Sequence, residues 1–167
     1  MTVKLRKATM EELNDAFQCI IDAREYQNSL GFVQWTDEYP THETIKDDIA
    51  SGTGFAFSED DRLIGYCCVL IGDEPAYHEI DGAWRTDHPY AVVHRMAFLK
   101  ESRGKGYAGK AFSLVKEYCL KNGIEAIRVD TQEENKVMQH VLEKEGFTYC
   151  GTIMFAGGPK LAYEWDA

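Results

Sequence analysis

The sequence predicts an α/β domain built on a central mixed β-sheet of about six to seven strands, with helices on both faces. Three observations point there. The first half places β-type runs around two helical stripes. The second half reads strand, helix, strand, helix, strand, the order that parallel neighbours joined by right-handed crossovers produce. A last pair of β-type runs brackets Ala156-Gly157-Gly158-Pro159, as an antiparallel hairpin would. At 167 residues, with a hydrophobic fraction of 44%, the chain has the size and apolar content of one globular domain, and no linker or repeat divides it.

Val3–Lys7 alternates and reads as the first strand. Thr9 followed by Glu12 spells a capping box, in which each side chain bonds the other residue's backbone N–H. Leu13, Ala16, Phe17, Ile20 and Ile21 then form a helical stripe that Gly31 ends. Thr41 caps a short second helix in which Ile45 and Ile49 share a face, closed by Gly52. Phe55–Phe57 and Leu63–Ile71 flank the polar run Ser58–Asp61 as a hairpin. Residues 72–88 are expected to form a long loop carrying Tyr77, Trp84, His78, His88 and several acids; such loops in compact domains are often functional. Tyr90–Phe98 is a strand, and a basic glycine-rich loop leads to a helix over about Ala108–Lys121, stopped by Asn122-Gly123. Ala126–Asp130 is the next strand. The last helix covers about Asn135–Lys144, with Val137, Met138, Val141 and Leu142 turned inward and Gly146 as its stop.

The net charge of -10 argues against nucleic acid or an anionic membrane as partner. The N-terminus lacks the apolar run of a signal peptide, and no stretch approaches the ~20 apolar residues of a membrane span, so a soluble cytoplasmic protein is expected. The five cysteines are odd in number, form no C-x-x-C pair and sit among apolar residues, as reduced core thiols do. No metal is expected, since the five histidines show no ligand spacing.

Residues 103–111, Arg-Gly-Lys-Gly-Tyr-Ala-Gly-Lys-Ala, join a strand to a helix. Glycines admit close backbone approach, N–H groups converge, and the helix start adds its positive dipole end, so a phosphate-bearing ligand is expected here. Three templates compete. Gly104-x-Gly106-x-x-Gly109 matches a dinucleotide fingerprint with Asp130 as the ribose acid, but too few strands follow for that domain. Gly104-x-x-x-x-Gly109-Lys110 nearly spells a Walker loop, but Ala111 has no hydroxyl for magnesium.

The third template fits throughout. Arg103-Gly104-Lys105-Gly106-Tyr107-Ala108 resembles the R/Q-x-x-G-x-G/A signature by which GNAT acetyltransferases hold the pyrophosphate of acetyl-CoA. His94–Phe98 before it, the strand ending Asp130-Thr131 after it, and Asn135 through Gly146-Phe147 fall in that family's order, and the resemblance covers essentially the whole chain. A subset with His-Arg in this strand and Tyr-Cys-Gly after the last helix is similar through His94-Arg95 and Tyr149-Cys150-Gly151.

The resemblance implies a GNAT-like fold and acetyl transfer from acetyl-CoA to a primary amine of a small molecule by direct attack, in a possible homodimer. It implies that Met96, Ala97 and Phe98 meet the pantetheine arm through their backbone, that Arg103, Gly104, Lys105, Gly106, Tyr107 and Ala108 meet the pyrophosphate, and that Asn135 lies near the arm. An alkylamine is protonated at neutral pH, so a base is needed, and the departing thiolate needs an acid. Many members carry a tyrosine acid on the last helix; Leu142 stands there in this chain and cannot donate a proton. Tyr149 is the first substitute for the acid, His94 the leading base, and Glu79 or Asp81 an alternative base or amine ligand. Trp35, Tyr39, Tyr77 and Trp84, with Tyr90, are expected to line the acceptor pocket, built by the first helix pair and the long loop. The missing tyrosine leaves a second reading open, a CoA-binding sensor of the same fold.

Overall fold

The computed structural model describes residues 2–167. In chain order the elements are β1 (Val3–Lys7), α1 (Leu13–Ser29), α2 (His42–Ala50), β2 (Gly54–Glu59), β3 (Arg62–Ile71), β4 (Asp81–Gly82), β5 (Ala91–Phe98), α3 (Tyr107–Lys121), β6 (Ala126–Thr131), α4 (Lys136–Lys144), β7 (Thr148–Phe155) and β8 (Gly158–Asp166). The capping signals act where the sequence puts them. The Glu12 carboxylate accepts from Thr9 N at 3.0 Å, and Thr41 Oγ1 accepts from Thr44 N at 3.1 Å at the start of α2. The Thr9 box first closes a single 3-10 turn, Met10–Glu12, before α1 begins.

All eight strands join one mixed sheet, in the order β1-β2-β3-β5-β6-β8-β7-β4. This exceeds the expected strand number because Asp81–Gly82, inside the presumed loop, pairs with Gly151 and Thr152 of β7. The contact is tight enough that a Cβ on Gly82 would sit 2.2 Å from the Cys150 carbonyl oxygen. Among the described residues, β5 and β6 alone pair in parallel. The crossover through α4 skips a position, and β8 folds back between β6 and β7, antiparallel to both.

Helices cover both faces. On one, Phe112, Val115, Leu142 and Phe147 of α3, α4 and the following turn pack on Phe55, Phe57, Ile127 and Tyr163. On the other, Ile20, Ile45 and Ile49 of α1 and α2 pack on Ala56, Tyr66 and Ala97. The central strand β3 is buried from Leu63 to Val69, which explains its unbroken apolar run. Four cysteines are buried and Cys150 is half-buried; none is bonded to another. Val137 departs from expectation, being 46% exposed rather than turned into the core. Among the described residues no helix is long and apolar enough to cross a membrane.

Candidate active site

The site begins with a defect in the sheet. Along the β3–β5 ladder Tyr66 faces Ala97 and Cys68 faces His94, so the single residue Cys67 is opposed by both Arg95 and Met96. Arg95 takes φ +57°, a left-handed conformation that a side-chain-bearing residue adopts only when its surroundings enforce it. They do. Its Nε and Nη2 donate to the two Asp48 oxygens at 2.9 and 2.7 Å, and Nη1 donates to the Tyr39 hydroxyl at 2.8 Å. The Tyr66 hydroxyl adds a bond to Asp48 Oδ2 at 2.7 Å. A bulge bends its strand, and here β5 leaves β6: their pairing covers Ala91 with Ile127 and Val92 with Arg128 and goes no further. From His94 onward the β6 side of β5 has no strand partner.

A groove occupies this opening. Met96, Ala97 and Phe98 form one wall, α1 contributes Tyr26 and Gln27, and α4 contributes Val137 and Met138. Arg103, Gly104, Gly106, Tyr107 and Ala108 close one end. Gly106 is the N-cap of α3 at φ +74°, with no side-chain cap, and Gly104 has φ +80°. A Cβ at either would meet nothing within 4 Å, so both glycines face open space. The first N–H groups of α3 therefore keep their donors free, with the dipole's positive end behind them. The Arg103 guanidinium is steadied by the Tyr26 ring, 4.2 Å below it, and donates to the Asp22 carbonyl at 3.0 Å. Lys105 is exposed and does not line the groove.

A second cavity adjoins the first and shares Gln27, Met96, Asn135 and Met138 with it. Asn135 caps α4, its Oδ1 accepting from Met138 N at 3.1 Å, and the residue lines both spaces. His94 lies in the second cavity, buried, stacked on Phe155 at 5.0 Å and with Nε2 3.2 Å from Glu74 Oε2. That imidazole holds the Glu74 carboxyl below its ordinary range. Asp130 accepts from the Tyr77 hydroxyl at 2.7 Å, and burial pushes its carboxyl upward against that bond. Burial likewise raises the Tyr39 phenol, with Arg95 opposing.

The model of the Acetyltransferase (GNAT) family matches residues 9–147. The chain belongs to the GNAT acetyltransferase family. A GNAT acetyltransferase structure from Streptococcus agalactiae is 34% identical at TM-score 0.89, over 99% of this chain and 95% of that one. One from Listeria monocytogenes shares 17% identity at TM-score 0.76, covering 99% and 95%. Aminoglycoside acetyltransferase AAC(6′)-Ib, solved with ribostamycin and coenzyme A, has the same fold at 19% identity and TM-score 0.71, covering 99% and 94%. No match is found among curated proteins. The protein is thus an acetyl-CoA-dependent N-acetyltransferase. Its own residues fit that cofactor: a groove along unpaired backbone ends at an uncapped helix start whose two glycines leave room for a diphosphate.

Several of the expected site residues lie outside both cavities. Glu79 is exposed and lines neither cavity; Glu74, which caps the 3-10 turn Pro75–Tyr77 by accepting from Ala76 N at 3.2 Å, is the acid beside His94. Tyr149 is 53% exposed, packs edge-on to Tyr163 at 5.8 Å and also lines neither. Tyr77 is fully buried, and Trp84 donates to its carbonyl at 2.9 Å, so both support the site from behind instead of lining it. Tyr90 packs with them. Trp35 and Tyr39 do line the cavity, and the tip of the β7–β8 hairpin, which was not expected there, adds Phe155, Ala156 and Lys160. Leu142 is completely buried on the cavity floor.

Proposed function

We propose that this acetyltransferase acts on a primary amine of a small molecule, with the acceptor in the Trp35–Tyr39–Asp130 cavity and the cofactor in the Met96–Ala108 groove. The observation that carries this reading is the neck between the two spaces, where Gln27, Met96, Asn135 and Met138 belong to both. When bound there, the cofactor supplies an activated acetyl thioester and leaves as a thiol. Met96, Ala97 and Phe98 offer backbone without a β6 partner to the pantetheine arm, and Gly104 to Ala108 offer N–H groups to the diphosphate.

On the acceptor side, Glu74 orients His94. A carboxylate at Nε2 selects the tautomer with its proton on that nitrogen, which leaves Nδ1 as the proton acceptor. The Asp130 carboxylate attracts the incoming ammonium. Tyr39 replaces the missing helix tyrosine as proton donor: its oxygen accepts from Arg95, so its own O–H is free to donate. Lining of the cavity by both His94 and Tyr39 supports this pairing.

The test is thiol release from acetyl-CoA over a panel of primary amines. His94→Gln should lower kcat/KM by about 10²–10⁴-fold, the usual worth of a positioned base, with acetyl-CoA affinity unchanged. Full activity in that variant would remove His94 from the reaction. The buried Leu142 favours the sensor reading, which predicts acetyl-CoA binding with no thiol released for any amine.

A further inference from the structure

Acceptor chemistry is written in the polar groups that the fold leaves without partners. Lys160 is only 9% exposed and lines the acceptor cavity, yet its ammonium meets no carboxylate within 4 Å and makes no hydrogen bond among the described residues. Its three N–H donors are therefore available to an anionic group of a ligand in that cavity. Thr131, 1% exposed and lining the same cavity, has its Oγ1 unpartnered too. The remaining charges are different. Arg95 is occupied by Asp48 and Tyr39. Asp130 uses one oxygen for Tyr77, and its other oxygen has no partner among the described residues.

Strand register fixes the spacing of the two groups. Asp130 pairs with Ala162 across β6 and β8, and Lys160 lies two residues before Ala162 on the same face. Such diagonal neighbours stand roughly 7–8 Å apart, within reach of long side chains, and both residues line the same cavity. The cavity thus presents a carboxylate and an ammonium side by side, each with hydrogen-bonding capacity left for a ligand.

We infer that the acceptor is an amino-acid-like zwitterion, its amine at Asp130 and its carboxylate bound by Lys160 with help from Thr131. This rests on the proposed acceptor cavity. The charge pattern complements both ends of such a molecule at once. A polycationic acceptor, such as the ribostamycin bound by AAC(6′)-Ib, would bring further positive charge against Lys160 with one carboxylate to receive it. Lys160 is therefore a specificity residue that touches the substrate away from the reacting nitrogen.

The experiment compares the standard α-amino acids with their C-terminal amides and with spermidine, by thiol release from acetyl-CoA. The wild type should favour the best amino acid over its own amide by about tenfold or more, a charge-assisted contact's worth. Lys160→Met should erase that preference by raising KM for the acid about tenfold more than for the amide. Equal rates for acid and amide in the wild type, a preference for spermidine, or an equal loss on both in Lys160→Met would overturn the inference. A second measurement does not need turnover. N-acetyl amino acids, added to the CoA-loaded protein, should raise its Tm where the corresponding amides do not. If carboxylates bind but no amine is acetylated, the transfer reading fails and the Lys160 assignment stands. If amines are acetylated with no advantage to the carboxylate, the assignment alone falls.

Discussion

Arg95 shows how one residue can open a binding groove. Its left-handed backbone costs about 1–3 kcal/mol, and the buried fork to Asp48 and the bond to Tyr39 offset that cost. Removing the guanidinium strands the Asp48 carboxylate beside Tyr66, so Arg95→Ala should destabilise the protein by about 3–5 kcal/mol in urea unfolding. A loss under about 1 kcal/mol would show that the bulge is held by something else. The His-Arg pair was visible in the sequence, but its role was not, since a positive φ at arginine leaves no compositional mark. Glu74, which is not among the residues expected at the site, carries a local signal. An acid directly before Pro75 is the cap of a short turn, and that turn is what brings the carboxylate to His94. Lys160 and Asp130 meet only because β8 lies beside β6, which no local pattern encodes.

At the scale of elements, periodicity and caps located the four α-helices and seven of the strands to within a few residues, because each depends on neighbours in sequence. The Thr9–Glu12 box is also a pH-sensitive clamp. Arg6 grips both Glu12 oxygens at 2.8 Å and holds that carboxyl down to about 2 from its ordinary 4.5. A folded value below the unfolded one means the contribution is complete above roughly pH 4.5 and is lost as the pH falls towards 2. Glu12→Gln should therefore be less stable than wild type near neutrality, with the gap closing as the solution is acidified. Urea midpoints measured through that range would expose a gap that stays constant, which would contradict the Arg6–Glu12 linkage. What the element patterns missed was placement. The two-residue β4 has no room for a periodicity, and the insertion of β8 between β6 and β7 is a tertiary choice made by packing. The aromatics of residues 72–90 illustrate the same limit: Tyr77, Trp84 and Tyr90 looked like pocket walls and instead form a small core around Val92, Ile153 and Ala162.

For the molecule as a whole, a net charge of -10 sets a general repulsion against any polyphosphate, and the cofactor groove has to overcome it locally. The means are an uncapped helix start, two glycines facing open space and the Arg103 guanidinium fixed against α1. Ala108 allows a direct test, because it lines the groove from the first turn of α3. A carboxylate at that position suits the helix dipole, so Ala108→Asp should keep the fold while opposing a bound diphosphate. The measurement is calorimetric titration of acetyl-CoA into both proteins. The wild type should bind one equivalent per chain, and Ala108→Asp should bind at least about tenfold more weakly, a difference of ~1.4 kcal/mol, at an unchanged unfolding midpoint. Equal affinities, or no binding by the wild type, would contradict the assignment of this helix start to the cofactor.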